Sequence, residues 1–133
     1  MKEVIKVLEG TKYGFLATID AGKPRVRPFE FQFLAEGKYY FCTGKSKPVA
    51  NQIKKTPTIE FCAVDEQMKT VRIRGEAKFS DEIAKKERIL KHNDLVRSIF
   101  QRADNQEFEI FYLDHGKAII FDLLGNLPRE IEF

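Results

Sequence analysis

Arg25 and Arg27 stand in the run Arg25-Val26-Arg27-Pro28-Phe29-Glu30, and the run Thr43-Gly44-Lys45-Ser46-Lys47 follows it across a short turn. These are the residues whose types and spacing suit chemistry. A guanidinium offers a planar fork of donors that meets a phosphate, or the carbonyl edge of a planar ring, through two parallel bonds, where an ammonium acts as a point charge. The second run adds two ammonium groups, two hydroxyls and free backbone N–H groups ahead of a helix start, all suited to one anion, and Gly44 lets the backbone come close. Together they fit a phosphorylated aromatic ligand. Each piece also has a plain reading, because Gly, Ser and Lys are common in exposed polar loops and strand arginines are commonly solvated. The loop is not a Walker motif, since the Gly-x-x-x-x-Gly-Lys-Ser/Thr spacing is absent. The arginines and lysines reinforce one another if their strands pair side by side, which the turn at Glu36-Gly37 predicts.

Other chemistries have less support. His92 and His115 are the two histidines, with no His-x-x-x-His or Cys/His cluster, so no metal is expected and both read as solvated or capping residues. Cys42 and Cys62 do not form a Cys-x-x-Cys pair and sit in apolar strand-like runs, as buried inert thiols do. There is no Gly-x-Ser-x-Gly elbow. Glu60, Asp65 and Glu66 read as strand-end charges, with paired-carboxylate hydrolysis left open. No side chain is obliged to perform covalent chemistry, so a bound cofactor is expected to supply it.

The elements that position these groups follow from composition and period. A chain of 133 residues is the size of one domain, expected to span 1–133, and it can bury a core without staples. A formal net charge of +3 is too small to point to a polyanion partner, so any anion site is local. Lys2, Glu3, Lys6 and Glu9 interrupt the apolar residues of the amino terminus, unlike a signal peptide, and no run approaches the roughly 18 apolar residues of a membrane span. A cytoplasmic protein with no membrane partner is expected.

Lys2 to Glu9 has the spacing of a short amphipathic helix, stopped by Gly10 in a left-handed cap. Tyr13 to Ile19 reads as a strand, followed by turn residues Asp20 to Pro24. From Arg25 the side chains alternate, with Arg25, Arg27, Phe29, Phe31 and Phe33 on one face, and Pro28 marks an edge or bulge. Tyr39 to Thr43 returns as the partner strand, and residues 49–53 form a short helix closed by Pro57. Thr58 to Val64 and Thr70 to Phe79 are further strands. Ser80 is expected to cap a helix that breaks near Asn93, and Phe108 to Leu113 and Ala118 to Leu124 complete the strands. Six or seven strands with tight hairpins predict a β-rich α+β barrel rather than a parallel sheet.

These residues resemble the pyridoxamine-phosphate-oxidase-like family of FMN-binding split barrels, and within it the nitroimidazole-resistance branch. The resemblance rests on Arg25-Val-Arg-Pro-Phe29, Tyr40-Phe-Cys-Thr-Gly-Lys-Ser-Lys47, Asn51-Gln52-Ile53 and Thr56-Pro57, in that order, and covers nearly the whole chain. It implies an α+β, mainly β fold: a six-stranded antiparallel split β-barrel with short flanking helices, forming a homodimer with FMN at the subunit interface. It also implies that Arg25, Arg27, Pro28, Phe29 and Glu30 flank the flavin, and that Thr43 and Gly44 approach the ribityl and phosphate groups. Lys45, Ser46 and Lys47 would hold the phosphate, Gln52 would add a polar contact, and Thr70 would meet the flavin. Leu124 to Phe133 lacks the Trp and paired Arg segment of true pyridoxamine phosphate oxidases, so pyridoxal phosphate synthesis is not expected.

The reading that follows is an FMN-dependent oxidoreductase passing hydride or electrons to a small planar acceptor, such as a nitroaromatic, from an electron donor the sequence does not specify. A flavin-binding carrier or redox sensor without turnover would show the same residues. A nucleic-acid-binding β-barrel, with Phe29, Phe31, Tyr39 and Phe41 stacking bases, is a third reading that the modest charge disfavours.

Overall fold

The computed structural model describes residues 2–125 and 127–133. Helix α1 (Lys2–Glu9) buries Val4, Val7 and Leu8, the i, i+3, i+4 spacing of one helical face. Gly10 ends it with an N–H to Lys6 O bond of 3.0 Å and without the left-handed conformation that the sequence predicts.

The chain continues through β1 (Gly14–Asp20), β2 (Lys23–Phe29), β3 (Phe33–Ala35), β4 (Lys38–Gly44), α2 (Pro48–Lys55), β5 (Thr58–Val64), β6 (Lys69–Glu76) and β7 (Lys78–Ser80). Then come α3 (Ile83–His92), α4 (Asp94–Phe100), β8 (Phe108–Leu113), β9 (Lys117–Asp122) and β10 (Arg129–Glu132). The strands form a six-stranded sheet in the order β10-β9-β6-β5-β1-β2 and a four-stranded sheet in the order β3-β4-β8-β7. Every pairing is antiparallel. Two hairpins turn on residues with positive φ, Ala21 and Gly22 (51° and 80°) and Glu36 and Gly37 (54° and 73°). This is the two-residue turn whose twist matches that of the strands it joins.

The fold is α+β, mainly β: a split barrel whose larger sheet has six strands and stays open. Two strands that the alternation predicts as continuous are each divided between the sheets. β2 ends at Phe29 and the chain crosses over, with Gln32 N–H donating to Tyr40 O at 3.0 Å before β3 begins. Phe29 and Phe31 pack on Phe41, whereas Phe33 stacks on Tyr40 at 4.8 Å in a different cluster. Likewise β6 ends at Glu76, Ala77 N–H donates to Pro57 O at 2.8 Å, and β7 joins the smaller sheet. A period of two fixes which side chains share a face but not which sheet carries the strand, so the crossings leave no mark in the pattern.

Two further expectations are corrected. Ser80 closes β7 instead of capping α3, its hydroxyl accepting from Glu82 N–H at 3.2 Å. The polar Arg129-Glu-Ile-Glu132 run, not foreseen as a strand, forms an edge strand on β9. The break near Asn93 is present, and Asn93 Oδ1 caps α4 by accepting from Val96 N–H at 3.1 Å.

The smaller sheet is covered on both faces. Tyr39, Phe41, Phe111 and Leu113 point into the main core with Leu16, Phe61, Ile73 and Ala118 of the larger sheet. Tyr40, Phe108 and Ile110 point the other way, onto Ile89, Leu90, Val96 and Phe100 of α3 and α4. Tyr39 and Phe41 have no exposed surface, and Phe29 and Phe31 are partly buried against Phe41, so two of the four rings invoked for base stacking are closed to a base. Among the described residues, no helix is long and apolar enough to cross a membrane.

Candidate functional site

β1, β2 and α2 meet around one amide. Arg27 stands opposite Leu16 on the inner face of the edge strand, so its side chain runs under α2 instead of outward. Its Nη1 donates to Leu16 O at 3.2 Å and to Thr18 Oγ1 at 2.8 Å, and its Nη2 donates to Gln52 Oε1 at 2.7 Å. Thr18, itself buried, donates onward to the same Gln52 oxygen at 2.6 Å. Burial lowers the Arg27 pKa from its ordinary value, yet a guanidinium keeps its charge. The helix that brings Gln52 here starts with Pro48, pre-set for the first helical position, and is pinned by buried Val49, Ala50 and Ile53.

The loop before α2 is held by a carboxylate from across the smaller sheet. Phe108 pairs with Gly44 in the β4–β8 ladder, which sets Glu107 against the loop. Lys45 N–H donates to Glu107 O at 2.7 Å, while Ser46 N–H donates to Glu107 Oε2 at 2.9 Å and Oε1 at 3.2 Å. Ser46 Oγ also donates to Oε2 at 2.6 Å, and Lys47 N–H donates to Gly44 O at 3.0 Å. The free N–H groups expected from the sequence are therefore already engaged, because β4–β8 pairing brings in an acceptor remote in sequence. Ser46's hydroxyl and then its N–H hold the Glu107 carboxyl below its ordinary pKa, with Lys45 and Lys47 adding to the effect. A Cβ at Gly44 would lie 2.8 Å from Glu107 Oε2, so a side chain there would make the carboxylate shift.

A cleft of about 300 Å³ opens between the β1–β2 turn and α2, lined among others by Asp20, Ser46, Asn51, Gln52 and Lys55. Lys45 and Lys47 stay exposed, and Arg25, also exposed, pairs with Asp20 at 3.6 Å. Thr43 is 6% exposed and its Oγ1 has no hydrogen-bond partner among the described residues. The side-by-side pairing of the arginine and lysine strands does not occur: β2 pairs with β1, and β4 lies in the other sheet. α2, which follows the lysine loop, reaches the arginine strand instead through Gln52, whose oxygen accepts from Arg27 and Thr18.

The remaining site residues lie apart. Phe29 packs against Phe41 and Phe111, and Glu30 accepts from Asn93 Nδ2 at 3.1 Å. Glu30 also lines a second cleft, of about 380 Å³, with Gln32, Arg88, His92 and Asn93. Pro28 is exposed on the outer face of the larger sheet. One row on that face runs Pro28, Phe15, Cys62, Arg72, Ile119. Thr70 shares the face with Arg72, two residues back along β6, while Thr18 lies three residues onward from Phe15 along β1, which runs in the same direction. That separates Thr70 from Thr18 by on the order of 17 Å along the strands.

Thr18, Lys55 and Glu107 were not singled out from the sequence, and Asn51 entered only as part of the Asn51-Gln52-Ile53 run. Asn51 and Lys55 have i, i+4 spacing beside Gln52, a signal that placed them on one helical face. Glu107 carries no local signal. Among the described residues no cluster of His, Cys, Asp or Glu could hold a metal. Burial pushes the Cys42 thiol up to about 12 and raises that of Cys62, which suits inert thiols.

The sequence model of the pyridoxamine 5'-phosphate oxidase family matches residues 1–118. Among solved structures, a NimC/NimA family protein from Clostridium acetobutylicum is 25% identical with a TM-score of 0.89, over 100% of this chain and 93% of that one. A pyridoxamine 5'-phosphate oxidase-related, FMN-binding protein from Nostoc punctiforme is 19% identical with a TM-score of 0.76, over 97% of this chain and 85% of that one. A heme-binding protein from Mycobacterium smegmatis is 16% identical with a TM-score of 0.78, over 98% of this chain and 56% of that one. The last two are likenesses of fold. No curated protein matches the chain in sequence.

Proposed function

Because the chain belongs to the pyridoxamine 5'-phosphate oxidase family, we propose that it is an FMN-dependent oxidoreductase acting on a small planar acceptor such as a nitroaromatic. The observation that carries this reading is the buried, unpartnered hydroxyl of Thr43, one residue before a loop whose Lys45 and Lys47 give it positive charge. A buried hydroxyl with no protein partner fits a polar ligand that completes its hydrogen bonds, and the lysines beside it fit a phosphate. FMN, when bound, supplies the hydride or electron transfer that no side chain here provides.

In this reading Lys45 and Lys47 hold the phosphate, with Ser46 beside them, and Thr43 and Gly44 approach the ribityl chain. Gln52 and Thr18 fix Arg27, which acts as a positioning residue that keeps a positive charge and the β2 edge in place. Arg25 lies on the same strand, whereas Pro28, like Thr70, faces outward, Phe29 packs on Phe41, and Glu30 lines the second cleft, so in this reading they flank the flavin from the subunit seam. Thr70, on the outer face, enters the site only if the site is shared between subunits, so the reading includes a homodimer. The outer face supports this. Phe15 and Val26 are 51% and 70% exposed there, and Arg72 in the same face, whose Nη1 lies 3.8 Å from Glu60, has a buried Nε with no hydrogen-bond partner among the described residues. A second copy covering the face would remove apolar surface from water.

The test is an absorption spectrum before and after adding FMN, followed by anaerobic reduction with dithionite and addition of a nitroaromatic. Tight binding and repeated reoxidation of the flavin by the acceptor are expected. A protein that binds no flavin overturns the reading, and one that binds FMN but reoxidises only once is a carrier or sensor.

A further inference from the structure

We propose that Glu107 is a specificity-determining residue of the Gly44–Lys47 loop: its carboxylate competes with an incoming phosphate for the donors of Ser46, and so sets how strongly the loop prefers a phosphorylated ligand to the same ligand without its phosphate. The proposal rests on reading this loop as the FMN phosphate site.

The geometry is that of an anion bound by its own chain. Both Glu107 oxygens take Ser46 N–H, one also takes Ser46 Oγ at 2.6 Å, and among the described residues no basic side chain is seen bonded to them. Lys45 and Lys47 act on the carboxylate through charge alone. An N–H, a hydroxyl and two flanking ammonium groups are the donor set a phosphate would take, and a carboxylate satisfies the same hydrogen bonds with one negative charge. A phosphate arriving here must displace the carboxylate or lie against it, and like charges at hydrogen-bond range repel.

Displacement need not loosen the loop. Lys45 N–H to Glu107 O, at 2.7 Å, and Glu107 N–H to Asn105 Oδ1, at 2.9 Å, are main-chain anchors that do not involve the carboxylate. The Glu107 side chain is only partly buried, so it has solvent to swing into. The main-chain bonds keep the loop beside β8 while the carboxylate is exchanged for a ligand's phosphate.

The test compares Glu107→Ala and Glu107→Gln with the wild type by calorimetric titration of FMN and of riboflavin, and by NMR titration of inorganic phosphate followed at the Ser46 amide, with circular dichroism to confirm folding. FMN and inorganic phosphate should bind about tenfold more tightly to Glu107→Ala, with Glu107→Gln in between and riboflavin unchanged. If both variants fold and bind phosphate and FMN no more tightly than the wild type, Glu107 only staples the loop and the proposal is overturned; failure of every form to bind inorganic phosphate overturns it equally. If phosphate binds and tightens as expected but no form binds flavin, the role of Glu107 stands and the FMN reading falls.

Discussion

Gln52 accepts from Arg27 at 2.7 Å, and the same oxygen accepts from the buried Thr18 hydroxyl at 2.6 Å, so one helical amide ties the edge strand β2 to its neighbour β1. β2 has a ladder on one side alone, which makes this cross-element bond the brace for the strand that carries Arg25 to Phe29.

Replacing that amide by an apolar side chain, Gln52→Leu, strips the buried Thr18 and the half-buried Arg27 of an acceptor. A cost of about 2 kcal/mol is expected, read from urea unfolding. Gln52→Glu keeps an acceptor and adds a charge complementary to Arg27, so it should stay close to wild type. Equal loss in both variants would show that the oxygen is not what matters.

The local devices were legible because they are written in neighbouring residues: the α1 spacing, the turns at 20–24 and 36–37, the helix after Pro48, and the break at Asn93. What stayed hidden depends on remote partners. Phe29, Phe31 and Phe33 alternate without interruption although the chain changes sheet between them, and nothing near Ser46 announces Glu107. The Arg27–Gln52 bond joins two residues that the sequence offered separately, one on a strand and one on a helix; the strand pairing expected between the arginine and lysine runs does not occur, because β2 and β4 lie in different sheets.

Acid should release the Ser46 staple late. Glu107 has a folded pKa below that of an unfolded glutamate, so its contribution is complete above the ordinary glutamate value and is lost as pH falls through the lower folded pKa. The Ser46 amide shift is expected to titrate with a midpoint below the ordinary glutamate range. A midpoint at or above that range contradicts the bonding described for the loop.

Val26→Glu places a charge on the exposed outer face while touching nothing in the core, so helix content and folding should be unchanged. The wild type should sediment as a dimer and the variant as a monomer at micromolar concentration, because a buried unpaired carboxylate opposes association. A monomeric wild type with FMN bound removes the shared-site argument for Thr70.

Lys45 and Lys47 are exposed and flank a loop whose backbone donors are engaged by Glu107, so their ammonium groups are the part of the phosphate site that stands ready. Lys45→Ala combined with Lys47→Ala should weaken FMN by about a hundredfold and riboflavin by less than about threefold, since only FMN carries the charge that the lysines meet. Exposed charges are screened, so the wild-type preference for FMN over riboflavin should shrink with added salt, and the double variant should lose most of that salt dependence. Stability should hardly change, because neither ammonium is buried. Parallel titrations of both flavins at low and high ionic strength decide the point. An equal loss of affinity for the two ligands would place the phosphate elsewhere, with the cleft beside Lys55 as the next position to probe.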